Sequence, residues 1–386
     1  MLRWKWTPVL AGAFSVLVVS YALRYGYGVV APPMALDLAL TNEQVGSIVT
    51  SYFVAYAVFT PLAGFLADKF GFKRTVALFT AVMGVGSALM STSTSFEQCI
   101  AFFFIVGVGA AAAWAPMATL ARRLIPSRKR GLALGVIDSG SSVGYMISSF
   151  LAPPLIASFG WRSHWTVWSL ASLAVAASSL LVLPSLRVRV LPSLQAPKSI
   201  SFWLIALSYM MFGVTLWVPL AFLSKFGLSE VGLDYWAASL LGVAVAAASI
   251  PGKLLLSHLS DVAGRSCVLL FSLALIGLSQ LLCALAPSPA LLFLYAAMFG
   301  LGYGGCVPLY GVLASDFSER AGTVLGLWTV FFSIGSMASP KAAGFLADLT
   351  GGFKVPFLFG FSAALTSMLL LALASRALSG KTLRLK

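Results

Sequence analysis

Charge is what this chain has least of. Asp, Glu, Lys and Arg make up 9% of its 386 residues, where a soluble domain carries about a quarter. Acid is scarcer still, at 11 Asp and Glu against 25 Lys and Arg. With 60% hydrophobic residues and a mean hydropathy of +0.96, the chain cannot dress a globular surface in polar groups, so a water-soluble fold is excluded. Histidine and cysteine are also few. His164 and His258 are too far apart to share a helical turn, and Cys99, Cys267, Cys283 and Cys306 stand singly, without Cys-x-x-Cys spacing. These absences exclude a helical zinc pair and a disulfide framework, and neither metal nor cofactor is expected. No nucleophile–base pair emerges either, so an enzyme is not expected. Ten-residue alternating strands are absent, which excludes a membrane β-barrel.

What is present is a series of long apolar runs. A spanning helix needs about 20 mostly apolar residues, and the runs between polar breaks predict twelve. They lie near 9–35, 44–66, 74–93, 98–122, 132–157, 163–184, 200–224, 234–257, 266–286, 290–314, 322–347 and 354–376. The first is too long for a signal-peptide core and is read as a retained helix. With the N-terminus inside, 19 of the 25 basic residues collect on the cytoplasmic side. They are Arg3, Lys5, Lys69, Lys73, Arg74, Arg122, Arg123, Arg128, Lys129, Arg130, Arg187, Arg189, Lys198, Arg265, Arg320, Arg376, Lys381, Arg384 and Lys386. The opposite side keeps Arg162, Lys225 and Lys354. That asymmetry predicts a multi-pass protein of the cell membrane with both termini cytoplasmic. The net charge of +14 is then topological, and nucleic acid drops out as a partner. The expected division is an N-terminal six-helix bundle over 1–184, a cytoplasmic central loop over 185–199, and a C-terminal bundle with a short tail over 200–386.

The two halves repeat. Gly64, Asp68, Lys69, Gly71, Lys73 and Arg74 crowd charge and glycine into the connection between the second and third spans. A weaker copy follows 193 residues later as Ser257, Asp261 and Gly264, with Arg265 beside them. Gly135, Gly144 and Gly160 in the fifth span recur 191 residues on as Gly326, Gly335 and Gly351, spacings that let helix backbones approach. Two pseudo-symmetric bundles predict alternating access about a site at the half–half interface.

The chain resembles the major facilitator superfamily over essentially its whole length. Gly64–Arg74 matches that family's Gly-x3-Asp-Arg/Lys-x-Gly-x-Arg/Lys-Arg/Lys signature throughout. The resemblance implies that this segment is a cytoplasmic gate, with Asp68 meeting a helix end and basic residues of the other half in the outward-facing state. The second copy has lost its leading glycine to Ser257 and a basic residue to Val262, so a second gate through Asp261, Gly264 and Arg265 should be weaker.

Charge at bilayer depth is costly and marks function by default. Arg24 lies near the middle of span one and shares a helical face with Ser20, Tyr21, Tyr27 and Gly28. Lys341 lies well inside span eleven, and Lys253 one turn before the degenerate signature in span eight. Asp138 stands in span five, as a coupling or charge-balancing acid, a partner for Arg24, or a brace near the loop. The resemblance places spans one, eight and eleven around the central cavity. Three cations to one acid favour a small anionic substrate, a mono- or dicarboxylate held by charge-assisted hydrogen bonds, with a proton or counter-anion as coupling partner.

Within the superfamily these positions look most like the oxalate:formate antiporters and the monocarboxylate transporters. There a span-eight cation precedes the second signature by four residues, as Lys253 precedes Ser257. The first group also carries a lysine matching Lys341, the second a cation near Arg24. Two residues depart from the pattern: the span-eight cation is usually arginine, and the acid of the monocarboxylate group one turn earlier is Ser249 here. Tyr52, Tyr56, Trp217, Tyr303, Tyr310 and Trp328 are candidates to shape the cavity, with core packing as their simpler role. The rival readings are a proton-coupled exporter of drugs or neutral metabolites and a non-transporting membrane sensor. The exporter would place acids in spans one or four, where this chain has none; the sensor would need a signalling domain or a long tail. A monomer is expected.

Overall fold

Thr41 shows how the helices of this chain begin. Its extended backbone precedes Asn42, its hydroxyl accepts the Gln44 N–H at 3.2 Å, and the Gln44 side chain accepts the Thr41 N–H at 2.9 Å. This reciprocal box satisfies two donors that a helix start leaves open. Ser95 caps a later helix by accepting from the Gln98 N–H at 3.3 Å. Glu43 and Glu97 stand in the respective first turns, where a negative charge suits the helix dipole.

The structure, a computed structural model, describes residues 7–186, 199–285, 288–317 and 321–382. In order, the helices are α1 (Thr7–Asp37), α2 (Asn42–Phe70), α3 (Phe72–Ser91), α4 (Phe96–Ala110), α5 (Ala115–Leu124), α6 (Ser127–Phe159) and α7 (Arg162–Val182). Then come α8 (Ile200–Ser229), α9 (Tyr235–Pro251), a π turn (Gly252–Leu256) and α10 (Ser257–Ala263). The chain continues through α11 (Arg265–Leu285), α12 (Pro289–Phe317), α13 (Ala321–Thr350) and α14 (Lys354–Thr382). Residues 187–198 of the expected central loop lie outside the described residues, as do Arg3, Lys5, Arg320, Arg384 and Lys386. The side chains of Arg122, Arg123, Arg128, Lys129, Arg130 and Lys381 likewise lie outside them.

Eleven spans among the described residues are long and apolar enough to cross a membrane. They account for eleven of the twelve expected. The other coincides with α13, a helix of 30 residues whose middle carries Ser333, Ser336, Ser339, Pro340 and Lys341. No strand occurs among the described residues. The protein is therefore an all-helical, multi-pass membrane protein, the architecture that satisfies every backbone group within its own segment when lipid offers none. Span four is broken at 111–114 between α4 and α5, and span eight relaxes into the π turn directly after Pro251, whose ring nitrogen cannot donate to the helix ladder.

The chain divides into two compact units, Met1–Leu191 with Tyr235–Val243, and Pro192–Asp234 with Ala244–Lys386. In the first, the Tyr235 hydroxyl donates to the Val29 carbonyl at 2.9 Å. Both units repeat one packing scheme. Gly144 of α6 lies under the backbone of Val18 on α1, and Gly335 of α13 under the backbone of Met210 on α8; a β-carbon at either glycine would collide with the facing carbonyl. Gly107 and Gly300 face the backbones of Tyr52 and Val245 in the same way. The other fifth-span glycines serve differently. Gly135 and Gly326 meet nothing within 4 Å among the described residues, while Gly160 and Gly351 take φ of 76° and 70° to turn the chain.

The duplication extends to the helix ends. Asp37, the last residue of α1, accepts from Trp161 Nε1 at 3.0 Å and Arg162 at 2.8 Å, at the α6–α7 turn. Glu230, 193 residues later at the end of α8, accepts from the Phe353 N–H at 2.5 Å, at the α13–α14 turn. One acid per unit thus ties the first helix to the turn between the last two.

Candidate functional site

Helix α1 is buried nearly all round from Ala22 to Ala31, because α6 and α7 pack along it and glycines let them come close. Arg24 is carried into that packing and is 6% exposed. Burying a guanidinium in a spanning helix costs about 2.5–3.5 kcal/mol on insertion scales unless its surroundings compensate. Here they are aromatic. The Arg24 Cζ lies 4.6 Å from the Phe53 ring centroid, 4.9 Å from Tyr56, 5.4 Å from Tyr21, 5.5 Å from Tyr52 and 5.9 Å from Tyr25. Cation–π attraction in such desolvated surroundings contributes about 2 kcal/mol or more for a well-placed ring.

The rings brace one another. Tyr21 meets Tyr25 edge-on at 5.1 Å, Tyr25 meets Tyr145 of α6 at 5.4 Å, and Tyr52 lies parallel to Tyr56 at 6.3 Å. Tyr52, Phe53 and Tyr25 are buried, whereas Tyr21 and Tyr56 are half-buried and mark the accessible side.

Of the expected site residues in this unit, the structure brings Arg24 and Tyr21 together. Tyr27 departs from the expectation. Its ring stacks on Phe103 at 5.0 Å and its hydroxyl donates to the Val45 carbonyl at 2.9 Å, so it backs the aromatic ring through Phe103 and Tyr52 without facing Arg24. The i+3 spacing that suggested a shared face is overridden by the α4 contact. Tyr25 and Phe53 escaped the sequence reading. Each adjoins a residue that did not, and a long arginine side chain reaches past a single helical face. Asp138 is half-buried on α6, and its carbonyl accepts from Ser141 Oγ at 2.7 Å.

The second unit holds the other two cations. Lys253 is 9% exposed on the π turn, with Nζ 6.0 Å from the Tyr303 ring of α12. The turn seats there because Gly252 fits against the Leu301 backbone and Gly304 against Ser249 and Lys253. Lys341 is exposed on α13, next to Pro340. Trp217, Tyr310 and Trp328 are buried within the unit; Trp328 Nε1 donates to the Phe202 carbonyl at 3.1 Å, and Tyr310 shares hydrogen bonds with Ser208 and Ser367. They pack the core.

At the signature segments the glycines make turns. Gly71 has φ 93° and ψ 150°, and Gly264 φ 89° and ψ 137°, backbone that side chains other than hydrogen rarely tolerate. Gly71 donates to the Ala67 carbonyl at 2.9 Å and ends α2. Gly64 meets no atom within 4 Å among the described residues. Asp68 and Lys73 are half-buried, and Lys69 and Arg74 exposed; in the second copy Asp261 is exposed and Arg265 half-buried. Lys69 Nζ lies 5.3 Å from the Phe70 ring. A groove of about 370 Å³ lies between α3 and α7, lined by Arg74, Leu78, Leu173 and Leu180 among others, and shares no residue with the Arg24 ring.

The comparisons agree with this architecture. The chain is 26% identical to a probable sulfoacetate transporter of Cupriavidus necator, over 88% of this chain and 87% of that one. It is 23% identical to the hexuronate transporter of Bacillus subtilis, over 97% and 96%. Its fold is similar to the crystal structure of a bacterial homolog of the human lysosomal transporter Spinster, at TM-score 0.80, 16% identity and 98% coverage of each chain. The sequence profile of the major facilitator superfamily matches residues 13–252 and again 199–384, two overlapping stretches that together cover nearly the whole chain. The chain belongs to the major facilitator superfamily of secondary transporters.

Proposed function

We propose that this protein moves a small organic anion across the cell membrane by alternating access. The observation that carries this reading is Arg24, a fixed positive charge inside a spanning helix, held among aromatic rings with one accessible side. An arginine offers a carboxylate two parallel N–H donors, and a low local dielectric strengthens the attraction. Lys253 and Lys341 add positive charge on spans eight and eleven. The named relatives transport sulfoacetate and hexuronate, both anions, which supports the same sign of cargo here. Asp138 is the acid we assign to charge balance or proton coupling. We assign gating to the Gly64–Arg74 segment, in which Asp68 is the acid that topology alone does not require. The weaker second gate falls to Asp261, Gly264 and Arg265. Transport of a substrate needs no chemistry from the protein, and none is proposed.

The test is uptake into proteoliposomes by the wild type, Arg24→Ala and Lys341→Ala. Loss of uptake of an anion that the wild type carries, at least tenfold in Arg24→Ala, supports the reading. Undiminished uptake of every anionic substrate in both variants overturns it.

A further inference from the structure

We propose that the anion is an aromatic, or otherwise flat and unsaturated, carboxylate. This inference rests on the reading of Arg24 as the carboxylate anchor and goes beyond it to the body of the substrate.

Five aromatic rings around one position ordinarily make a receptor for a cation. Here the cation is built in, because the Arg24 guanidinium itself lies within 6 Å of all five centroids. What the site presents to a ligand is therefore positive charge beside a wall whose accessible rings are Tyr21 and Tyr56. A carboxylate at the guanidinium leaves the rest of its molecule against that wall. Buried rings back that wall: Tyr25 passes to Tyr145, and Tyr52 passes through Phe103 to Tyr27 and Trp165.

The chemistry of the wall selects the body. Ring faces carry negative and ring edges positive partial charge, so another ring gains by offset stacking or edge contact. A body rich in hydroxyls or a second charge would lose hydration against the faces of Tyr21 and Tyr56 and find only their phenol groups in return. A saturated body of equal size would keep its hydrophobic contact but gain none of the ring–ring attraction. Tyr21 and Tyr56, the half-buried members, are the rings that such a body meets at the accessible side. Two favourable ring contacts correspond to a preference of roughly tenfold over a saturated ring of the same size.

The experiment uses the purified protein and four probes of matched size, benzoate, cyclohexanecarboxylate, benzyl alcohol and benzylammonium, with sulfoacetate as an aliphatic anion for comparison. Binding is read by calorimetry and by ligand-induced thermal stabilisation. The expected order is benzoate at least about tenfold tighter than cyclohexanecarboxylate, with benzyl alcohol weakest. Tyr56→Leu should collapse the ratio of the first two affinities toward one, and Arg24→Gln should abolish binding of both. Tyr21→Leu stands in where Tyr56→Leu does not yield folded protein. Equal affinity for benzoate and cyclohexanecarboxylate overturns the aromatic inference and leaves the anion reading intact. So does failure of both while sulfoacetate or another aliphatic anion binds. Binding of benzyl alcohol or benzylammonium with no carboxylate bound overturns the anion reading itself.

Discussion

Gly144 and Gly135 stand on the same helix and answer to different constraints. Gly144 lies against the Val18 backbone, where no side chain has room, while Gly135 meets no atom within 4 Å among the described residues. Gly144→Val should therefore overpack the α1–α6 contact and cost about 1–3 kcal/mol or more, since the obstacle is backbone and cannot rotate away. Gly135→Ala should instead stabilise its helix by about 0.5–1 kcal/mol, by removing backbone freedom from the unfolded chain. Thermal melting of the two purified variants in one detergent checks the pair; equal shifts would refute the assignment of close approach to Gly144. Arg24 supports a prediction of the same scale. Lysine keeps the charge but has neither the planar fork nor a flat face to lie against Phe53 and Tyr56. Arg24→Lys should thus lose about tenfold or more in affinity for any carboxylate that the wild type binds, as titration calorimetry would show.

Between elements, the two units solve the same mechanical problem with different chemistry. Asp37 ties the end of α1 to the α6–α7 turn through an indole and a guanidinium, and Arg162 also donates to the Ser93 carbonyl at 2.9 Å. Glu230 ties the end of α8 to the α13–α14 turn through a backbone N–H. The first tie is an ion pair between half-exposed side chains, so salt should screen it; the second is a hydrogen bond to backbone and should respond less. Hydrogen exchange followed by mass spectrometry tests this directly. Glu230→Ala should raise exchange in the peptide spanning Thr350–Phe357 by about tenfold, the loss of one charge-assisted bond. Asp37→Asn should loosen the Gly160–Ser163 turn, and 1 M salt should reproduce that effect in the wild type but not the effect at Phe353. None of this was legible in the sequence. An Asp and a Glu 193 residues apart look like unrelated surface acids until the turns they bind are seen to be a repeat as well. The π turn was equally hidden, since Pro251 signals a disturbed helix without saying that the ladder widens rather than kinks.

At the scale of the whole molecule the sequence was far more transparent. Apolar runs set the helices, the repeated signature set the duplication, and eleven expected spans are long and apolar enough to cross a membrane. The Arg24 surroundings were half legible: Tyr21 was visible by helical spacing and Tyr52 and Tyr56 as aromatic candidates to shape a cavity, but Phe53 depends on how α2 is rotated against α1 and Tyr25 on the reach of the arginine side chain, which no single-helix pattern encodes. Orientation in the bilayer rests on the distribution of Lys and Arg, and the chain carries its own reporter for it. Of the four cysteines, Cys99, Cys283 and Cys306 are buried and Cys267 is exposed, two residues beyond Arg265 and close to the Gly264 turn. The basic segments predict that this end faces the cytoplasm. A membrane-impermeant maleimide should then leave intact cells unlabelled and should label Cys267 once the membrane is opened, with Cys267→Ser abolishing the signal. A cysteine placed at Ser95, the cap of α4 in the connection between spans three and four that the charge pattern puts outside, should show the reverse and react in intact cells. Labelling of Cys267 in intact cells with Ser95→Cys protected would invert the topology. The segment Gly64–Arg74, to which we assign gating, would then lie on the outer face, because Gly71 and Gly264 close matching turns at the same point of each repeat.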